Sequence, residues 1–262
     1  GEPAVGGEVG AGGFIEIVQA IRHTNKLRTG HLKGNRFRIR IHGRDSAEDE
    51  GVGEILEWYA DHGFPNAFGP QRFTRGAVRD GLQSLGGSRR VAGRRQRFAV
   101  SAVQAWIFNH WLSRRAAAGL LTTALPGDVL KRRETGGLFV CAEPAEDTPR
   151  LERGEVVLTG PMPGSRPSMV DGEAAEYEAV VIAELGLDPS VFSRMGRAGR
   201  GTRRPALVWP REVGLSREGE TLEICFELDA GTYATVLLAL LCGNSLQVGD
   251  ERKAGDKPLI DG

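Results

Sequence analysis

Residues 35–43 read NRFRIRIHG, the clearest secondary-structure pattern of the chain. Three apolar side chains alternate here with three arginines: Phe37, Ile39 and Ile41 with Arg36, Arg38 and Arg40. A period of two is typical of a β-strand with one buried face, because successive side chains of a strand point to opposite sides. The sequence therefore predicts a strand whose second face carries a row of arginines.

A second stretch with the same alternation lies near the other end of the chain. Residues 221–229, TLEICFELD, place an apolar side chain at every second position: Leu222, Ile224, Phe226 and Leu228. Gly231, Thr232 and Tyr233 then open an apolar run that predicts a helix. This helix should end near Gly243, since glycine is favoured just past a helix C-terminus.

The chain between these two strands is predicted to be richer in helix. Residues 46–62 and 100–120 space their apolar side chains by three and four residues, with Trp106 and Trp111 expected in the core. Residues 63–73, GFPNAFGPQRF, combine Gly, Pro and Asn and predict a loop. Further predicted elements are strands at residues 13–21, 138–141, 155–158 and 206–209, a helix at 172–185 and a mobile connector at 192–204. Strands at both ends with helices between them predict an α+β fold whose sheet is interrupted by an insertion.

Composition narrows the class of protein. The chain has 262 residues, 40% hydrophobic and 26% charged, as expected of a soluble globular protein. Its best apolar run, residues 236–242, is far shorter than the roughly 18 residues that a membrane span needs. Residues 1–13 lack the basic and apolar parts of a signal peptide. The chain begins with Gly rather than Met, so we expect it to be cut or incomplete.

Cysteine and histidine spacing gives no sign of a metal site. The three cysteines, Cys141, Cys225 and Cys242, are far apart, so we expect buried thiols in a reducing cytoplasm. The five histidines show no HExxH spacing. Neither a P-loop nor a GxGxxG after a strand is present, which gives an unrelated nucleotide-binding enzyme no support.

Charge is strongly segregated along the chain although the net charge is zero. Residues 22–44, 72–97 and 194–204 are rich in Lys and Arg and nearly devoid of acids, whereas residues 45–57 and 171–184 concentrate Asp and Glu. Basic faces attract phosphate groups through counterion release. The alternative, solvated faces that form salt bridges to the acidic helices, stays open on charge alone.

Four segments resemble, in order, motifs of the TruD family of tRNA pseudouridine synthases. Residues 23–37, HTNKLRTGHLKGNRF, resemble its H-x-x-K-L-R-x-G-x-L-K-G-N-x-F segment, and residues 63–73 resemble its G-x-P-N-Y-F-G-x-Q-R-F-G loop. Residues 101–109, SAVQAWIFN, are similar to its S-A-x-x-S-x-x-F-N helix. Residues 228–235, LDAGTYAT, are similar to the L-P-A-G-S-F-A-T that opens its last helix. Three positions depart from the family's usual residues: Ala67 replaces an aromatic residue, Thr74 a Gly and Tyr233 a Phe.

The resemblance implies an architecture and a set of partners. It implies a pseudouridine-synthase-like core with a mixed or antiparallel sheet, incomplete at the N-terminus, and an inserted, more helical TRUD-type domain. The expected boundaries are residues 1–75 and 205–262 for the discontinuous core and residues 76–204 for the insertion. It also implies tRNA as partner and no cofactor or metal, and we expect a cytoplasmic monomer.

The family's catalytic aspartate lies in a G-x-K-D-x-x-A-x-T-x-Q motif before the basic segment. Nothing in residues 1–13 resembles this motif, and Asp45 and Asp80 lie downstream and do not match it. No residue of this chain can therefore inherit the catalytic role. We expect an N-terminally truncated, inactive form.

The chemistry implied by the resemblance requires a nucleotide to leave its stack. The enzyme breaks the uridine N-glycosidic bond, turns the uracil and rejoins it through C5, using a carboxylate near the sugar. Such a site needs phosphate contacts, an aromatic ring to stack on the base, and a polar group for the base edge.

Two residues are expected to meet the extruded base. The Asn35 amide can donate to and accept from a uracil edge or ribose, and Gly34 beside it permits close backbone approach. Tyr233, at a helix start, can stack on the base. The alternatives are that Asn35 is a turn residue bonded to local backbone and that Tyr233 packs in the core.

Other residues are expected to contact phosphate or brace the site. Lys33, Arg28 and Arg22 are candidates for phosphate contacts, with a solvated face as the alternative. Gln71 and Arg72 can brace the site from the 63–73 loop, unless they only bond local backbone. Two further aromatic residues of this loop are expected in the core: Phe68 and Phe73.

Two functions of different classes remain. The first is a pseudouridine synthase that isomerises a uridine of tRNA, uridine-13 in the family. The second is a non-catalytic RNA-binding protein that keeps the scaffold and lacks the carboxylate. A K-D motif encoded upstream of Gly1 would favour the first.

Overall fold

The computed structural model describes residues 8–9, 13–14, 22, 24, 26, 31–43, 51–74, 76–87, 93–166 and 168–243. The chain divides into two compact units, residues 1–33 and residues 34–262. The strands are β1 (Glu8–Val9), β2 (Gly13–Phe14), β3 (Gly34–His42), β4 (Phe64–Pro65), β5 (Val129–Arg132), β6 (Leu138–Val140), β7 (Val156–Met162), β8 (Thr202–Pro205), β9 (Leu207–Val208), β10 (Arg211–Glu218) and β11 (Thr221–Asp229). The helices are α1 (Val52–His62), α2 (Ala77–Gly86), α3 (Gly93–Ala117), α4 (Pro144–Glu152), α5 (Gly172–Glu184) and α6 (Ala234–Leu241), with 3-10 turns at Pro70–Arg72 and Pro189–Ala198.

In the first unit, β1 and β2 form an antiparallel pair, Glu8 opposite Phe14 and Val9 opposite Gly13. This pair contains the first two residues of the strand predicted at 13–21. The remainder of that predicted strand lies outside the described residues.

The central sheet of the second unit joins the two predicted strands. β11 pairs antiparallel with β3 on one side and with β10 on the other. The β3–β11 ladder runs without a break from Gly34 opposite Asp229 to His42 opposite Thr221. Both strands are confirmed, because the local alternation of apolar residues fits a sheet with one buried face.

A second, four-stranded antiparallel sheet has the order β6-β5-β7-β8, and α3 packs along β7. Every residue of β7 is buried. The short pair β4–β9 connects the 63–73 loop to the segment after β8, with Pro65 opposite Leu207. Mixed helices and antiparallel sheets agree with the predicted α+β fold.

Two hydrophobic clusters form the core. One contains the inner face of the central sheet together with Phe108, Trp111 and residues of α1 and α6. The other lies between α2, the first half of α3 and the Pro189–Ala198 turn. Trp106 and Trp111 are buried in these clusters, as predicted.

Several boundaries and elements differ from the sequence-based expectation. Helix α3 begins at Gly93, seven residues before the predicted start, and α1 begins at Val52. The predicted mobile connector at 192–204 is wrong at its end, where residues 202–205 form β8 against β7. The elements that were not predicted include α2, α4, β5 and β10.

The cysteines also differ from expectation. Cys141 is buried, and burial, with Asp147 nearby, raises the pKa of its thiol to about 12. Cys225 is partly exposed and Cys242 is exposed, so the expectation of three buried thiols is confirmed for Cys141 alone.

Candidate nucleic-acid site

Asn35 lies at one end of the central sheet, opposite Leu228 of β11. Its side chain is exposed, and it makes no hydrogen bond to any residue that the structure describes. Gly34 beside it faces Asp229, and a Cβ added there would lie 2.4 Å from the Leu228 carbonyl oxygen. The close backbone contact expected at Gly34 is therefore a contact with β11. Strand β11 leads directly into the turn before Tyr233.

Tyr233 is the residue before the first turn of α6. The turn that precedes it is closed by the Thr232 amide, which donates to the Asp229 carbonyl at 3.1 Å. The Tyr233 ring is half-buried, and its centroid lies 5.7 Å from that of Phe68. Tyr233 as a whole is partly buried and packs against the core, so both sequence-based interpretations of Tyr233 fit its position.

The loop at 63–73 packs against the start of α6. The Thr235 hydroxyl donates to Gln71 Oε1 at 3.1 Å. A Cβ added at Gly69 would lie 2.6 Å from Thr235 Oγ1 and 2.9 Å from Tyr233 Cδ1, so only glycine fits this contact without displacement. Gln71 and Tyr233, 162 positions apart in the sequence, are therefore brought to one place.

Arg72 lies between aromatic rings rather than beside an acid. Its Nη2 donates to the Ser101 hydroxyl in a short hydrogen bond. The guanidinium carbon lies 4.9 Å from the Phe98 ring centroid and 6.0 Å from that of Phe68. The Nε–H is buried without a hydrogen-bond partner in the described structure.

Arg204 was not predicted as a site residue and is the most unusual cation of this region. Its Nε donates to the Asn66 carbonyl at 2.9 Å, and its Nη2 donates to Asn66 Oδ1 at 2.5 Å and to the Gly231 carbonyl at 3.0 Å. Its guanidinium carbon lies 4.0 Å from the Phe68 ring centroid, a cation–π contact.

No carboxylate of the described residues lies within ion-pair distance of Arg204. Burial lowers the pKa of its guanidinium to about 10; the negative form of Tyr233 opposes this shift and the charge of Arg72 adds to it. Arg204 therefore stays positively charged at neutral pH in a partly dehydrated place.

Asn66 and Asn109 fix the backbone around Phe68 and Arg204 through hydrogen bonds. Buried Asn109 donates through Nδ2 to the Phe68 carbonyl at 3.0 Å and accepts from the Phe68 amide at 2.8 Å. Buried Asn66 donates through Nδ2 to the Pro205 carbonyl at 3.0 Å. Neither role was predicted from the sequence, although both asparagines lie in quoted motifs, because a hydrogen bond between distant segments has no local pattern.

The predicted row of arginines on β3 is exposed but already paired with acids. Arg36 contacts Glu227 at 2.6 Å, Arg40 contacts Glu223 at 2.7 Å and Arg38 contacts Glu223 at 3.4 Å. The side-chain hydrogen bond from Arg40 lowers the pKa of Glu223. The partners come from β11, not from the acidic helices considered in the sequence analysis.

The remaining predicted phosphate contacts lie in or near the first unit. Lys33 and Arg22 are exposed. Arg28 lies outside the described residues. Their roles stay predictions.

A separate cleft lies between α2 and the start of α3, with a volume of about 530 Å³. It is lined by Asp80, Gln83, Ser84, Gly87, Arg95, Gln96 and Ala99. None of the predicted site residues lines it. Arg95 Nη2 lies 3.7 Å from Asp80 Oδ2, so the two opposite charges are close enough to compensate each other.

The described residues offer neither a metal site nor a membrane-spanning helix. None of these residues forms a group of three or more His, Cys, Asp or Glu side chains arranged to hold a metal ion. No helix in the described part of the chain is long and apolar enough to cross a membrane.

Comparison with known proteins gives a consistent family assignment. The family model described as tRNA pseudouridine synthase D (TruD) matches residues 13–88 and 79–240. A tRNA pseudouridine synthase D from an Anaeromyxobacter species is 42% identical over 248 residues, which are 90% of this chain and 70% of the relative. A protein of that name from Thermus thermophilus is 39% identical over 227 residues, 86% of this chain and 62% of the relative.

A solved structure shares the fold. The crystal structure of a Methanosarcina mazei protein assigned to tRNA pseudouridine synthase D (TruD) superimposes with a TM-score of 0.65. The match covers 82% of this chain and 70% of the other, at 23% sequence identity.

Proposed function

Because the chain belongs to the TruD family of pseudouridine synthases, which are isomerases, we propose that it binds tRNA and holds a uridine, the family's uridine-13, for conversion to pseudouridine. The main observation in support is that Tyr233, Arg72 and Arg204 all contact the Phe68 ring; these four side chains form the aromatic cluster of the candidate site. Aromatic rings and cations without carboxylate partners are what a flipped nucleotide needs.

Within this proposal, the 262 residues supply the RNA-binding and base-holding part of the site. The isomerisation also needs a carboxylate at the ribose, and no aspartate of this sequence matches the family's G-x-K-D-x-x-A-x-T-x-Q motif. The second candidate function is a non-catalytic RNA-binding protein on the same scaffold, and a K-D motif encoded upstream of Gly1 would decide for the first.

The first experiment measures tRNA binding and pseudouridine formation by the 262-residue chain. We expect binding that weakens steeply with salt, because several phosphate contacts release counterions, and no pseudouridine above background. Adding an N-terminal segment that carries the K-D motif should restore conversion. Failure to restore it, with binding intact, would favour the non-catalytic protein; absence of tRNA binding would refute both functions.

Tyr233 is proposed to stack on the target uracil. In a protein that carries the K-D segment, Tyr233→Ala should lower single-turnover rate about ten- to a hundredfold, since stacking is worth about 1–3 kcal/mol per base. Tyr233→Phe should cost little, because the ring face does the stacking. A core role alone would instead give a large loss of Tm with a normal rate among folded molecules.

Asn35 is proposed to act on the extruded nucleotide only. Asn35→Ala should therefore lower the rate more than it lowers tRNA affinity, because most affinity comes from phosphate contacts. Equal losses of rate and affinity would contradict this role.

A further inference from the structure

The positively charged guanidinium groups of Arg72 and Arg204 both lie against the Phe68 ring, and neither is paired with a carboxylate of the described residues. Both contact the Phe68 ring, at 6.0 and 4.0 Å from its centroid. Among the described residues, neither has a carboxylate within ion-pair distance. Partly dehydrated like charges oppose each other, so the arrangement stores unfavourable electrostatic energy that a bound anion would relieve.

The hydrogen bonds of the two guanidinium groups leave donors available. Arg204 uses Nε and Nη2 on two carbonyl oxygens and the Asn66 side chain, which fixes the plane of the group. Its Nη1 makes no hydrogen bond to a described residue. On Arg72, Nη2 donates to Ser101 and the Nε–H is buried without a partner, so Nη1, which makes no hydrogen bond to a described residue, is the donor left for a ligand.

We propose that Arg204, together with Arg72, binds a backbone phosphate of the RNA nucleotide whose base meets Tyr233. This inference rests on the proposed function and adds to it a residue outside the quoted motifs. A guanidinium fork matches phosphate geometry, and a fixed plane reduces the entropy lost on binding. Arg204 is also bonded to the Gly231 carbonyl in the turn before Tyr233, so phosphate and base contacts would be held in one rigid unit.

A purely structural role is the competing account. Arg204 ties Asn66 to Gly231, and its loss could weaken RNA binding by loosening the Tyr233 turn. A double-mutant cycle between protein and RNA separates the two accounts, because only a direct contact makes the two changes non-additive.

The experiment uses tRNA assembled from synthetic halves, each version carrying one neutral methylphosphonate within about three nucleotides of uridine-13. Wild-type chain should bind one of these versions about tenfold more weakly, the size expected for a charge-assisted hydrogen bond. Arg204→Gln should bind unmodified tRNA about tenfold more weakly and should be insensitive to that same methylphosphonate. Arg211→Gln is the matched control, since Arg211 is exposed and paired with Asp229 at 2.7 Å; it should keep the wild-type sensitivity.

The outcomes distinguish this inference from the proposed function. If Arg204→Gln keeps full sensitivity to every methylphosphonate, Arg204 contacts no phosphate there and the inference is wrong. If Arg204→Gln does not fold, Arg72→Gln is tested with the same methylphosphonate tRNAs, and full wild-type sensitivity in that variant would show that the inference is wrong. If wild-type chain binds no tRNA, the proposed function fails as well.

Discussion

Arg203 and Arg204 are consecutive residues of β8, and their surroundings differ in one decisive respect. Arg203 points to the buried side, where its Nη1 donates to Glu178 Oε1 at 2.6 Å and both side chains are less than a tenth exposed, 6% and 8%. Arg204 points to the opposite side, where carbonyl oxygens and the Phe68 ring replace the carboxylate. Because successive side chains of a strand point to opposite sides, Arg203 meets a carboxylate whereas the neighbouring Arg204 does not.

The buried side contains a second pair of the same kind. Arg115 Nη2 donates to Asp128 Oδ1 at 2.5 Å, and the other Asp128 oxygen accepts from the Leu125 amide at 2.8 Å. Arg115 has buried donors without partners among the described residues, as Arg72 does. The feature that distinguishes the two regions is therefore the carboxylate. Arg203 and Arg115 each have a carboxylate partner within the fold, whereas Arg72 and Arg204 have none among the described residues.

The largest effect is expected from a change that breaks the buried ion pair between Arg203 and Glu178. Glu178→Ala leaves Arg203 buried without its counter-charge and should lower the free energy of unfolding by about 3–5 kcal/mol, measured by urea denaturation. Glu178→Gln keeps an acceptor and should cost less. Molecules that remain folded should bind tRNA normally; a tenfold loss of affinity (about 1.4 kcal/mol) at unchanged stability would mean that Arg203 belongs to the site.

An intermediate effect is expected at Asn109, which holds the Phe68 backbone. Asn109→Ala removes both hydrogen bonds and should cost about 1–3 kcal/mol of unfolding free energy, together with a loss of tRNA affinity, because Phe68 supports Arg204. Asn109→Asp keeps the acceptor for the Phe68 amide and should therefore retain part of the stability and part of the tRNA affinity. Normal affinity in Asn109→Ala molecules that remain folded would show that the position of Phe68 does not matter for binding.

The smallest effect is expected on the exposed face of β3. Arg40→Gln breaks an exposed ion pair, so Tm should hardly change and tRNA affinity should fall by less than about threefold, measured beside Arg204→Gln. A loss equal to that of Arg204→Gln would place the RNA on this face as well. Since Arg40 lowers the pKa of Glu223 in the folded state, any stabilisation from this pair is fully present above the ordinary glutamate pKa and is lost as pH falls from there through the lowered pKa of the folded state.

Local patterns of the sequence predicted two of the three strands of the central sheet, and the family. β3 and β11 were predictable because alternation of apolar residues is a local signal that strand pairing preserves. Gln71 and Tyr233 became candidate site residues through motifs, and the loop that carries Phe68 was predicted in the same way. The row of arginines on β3 was also predicted, but the acids that pair with it were not.

Which of the charges have a counter-charge depends on the tertiary structure. In the sequence, Arg203 and Arg204 are equivalent members of a basic run, and Glu178 is one acid among several between residues 171 and 184. The pairing of β8 with β7 brings Arg203 to Glu178 and Arg204 to a loop 138 positions earlier in the chain. Charge compensation depends on such non-local contacts, which hydrophobic periodicity does not encode. For this reason, only the folded structure distinguishes Arg204 from Arg203 as a cation without a carboxylate partner among the described residues.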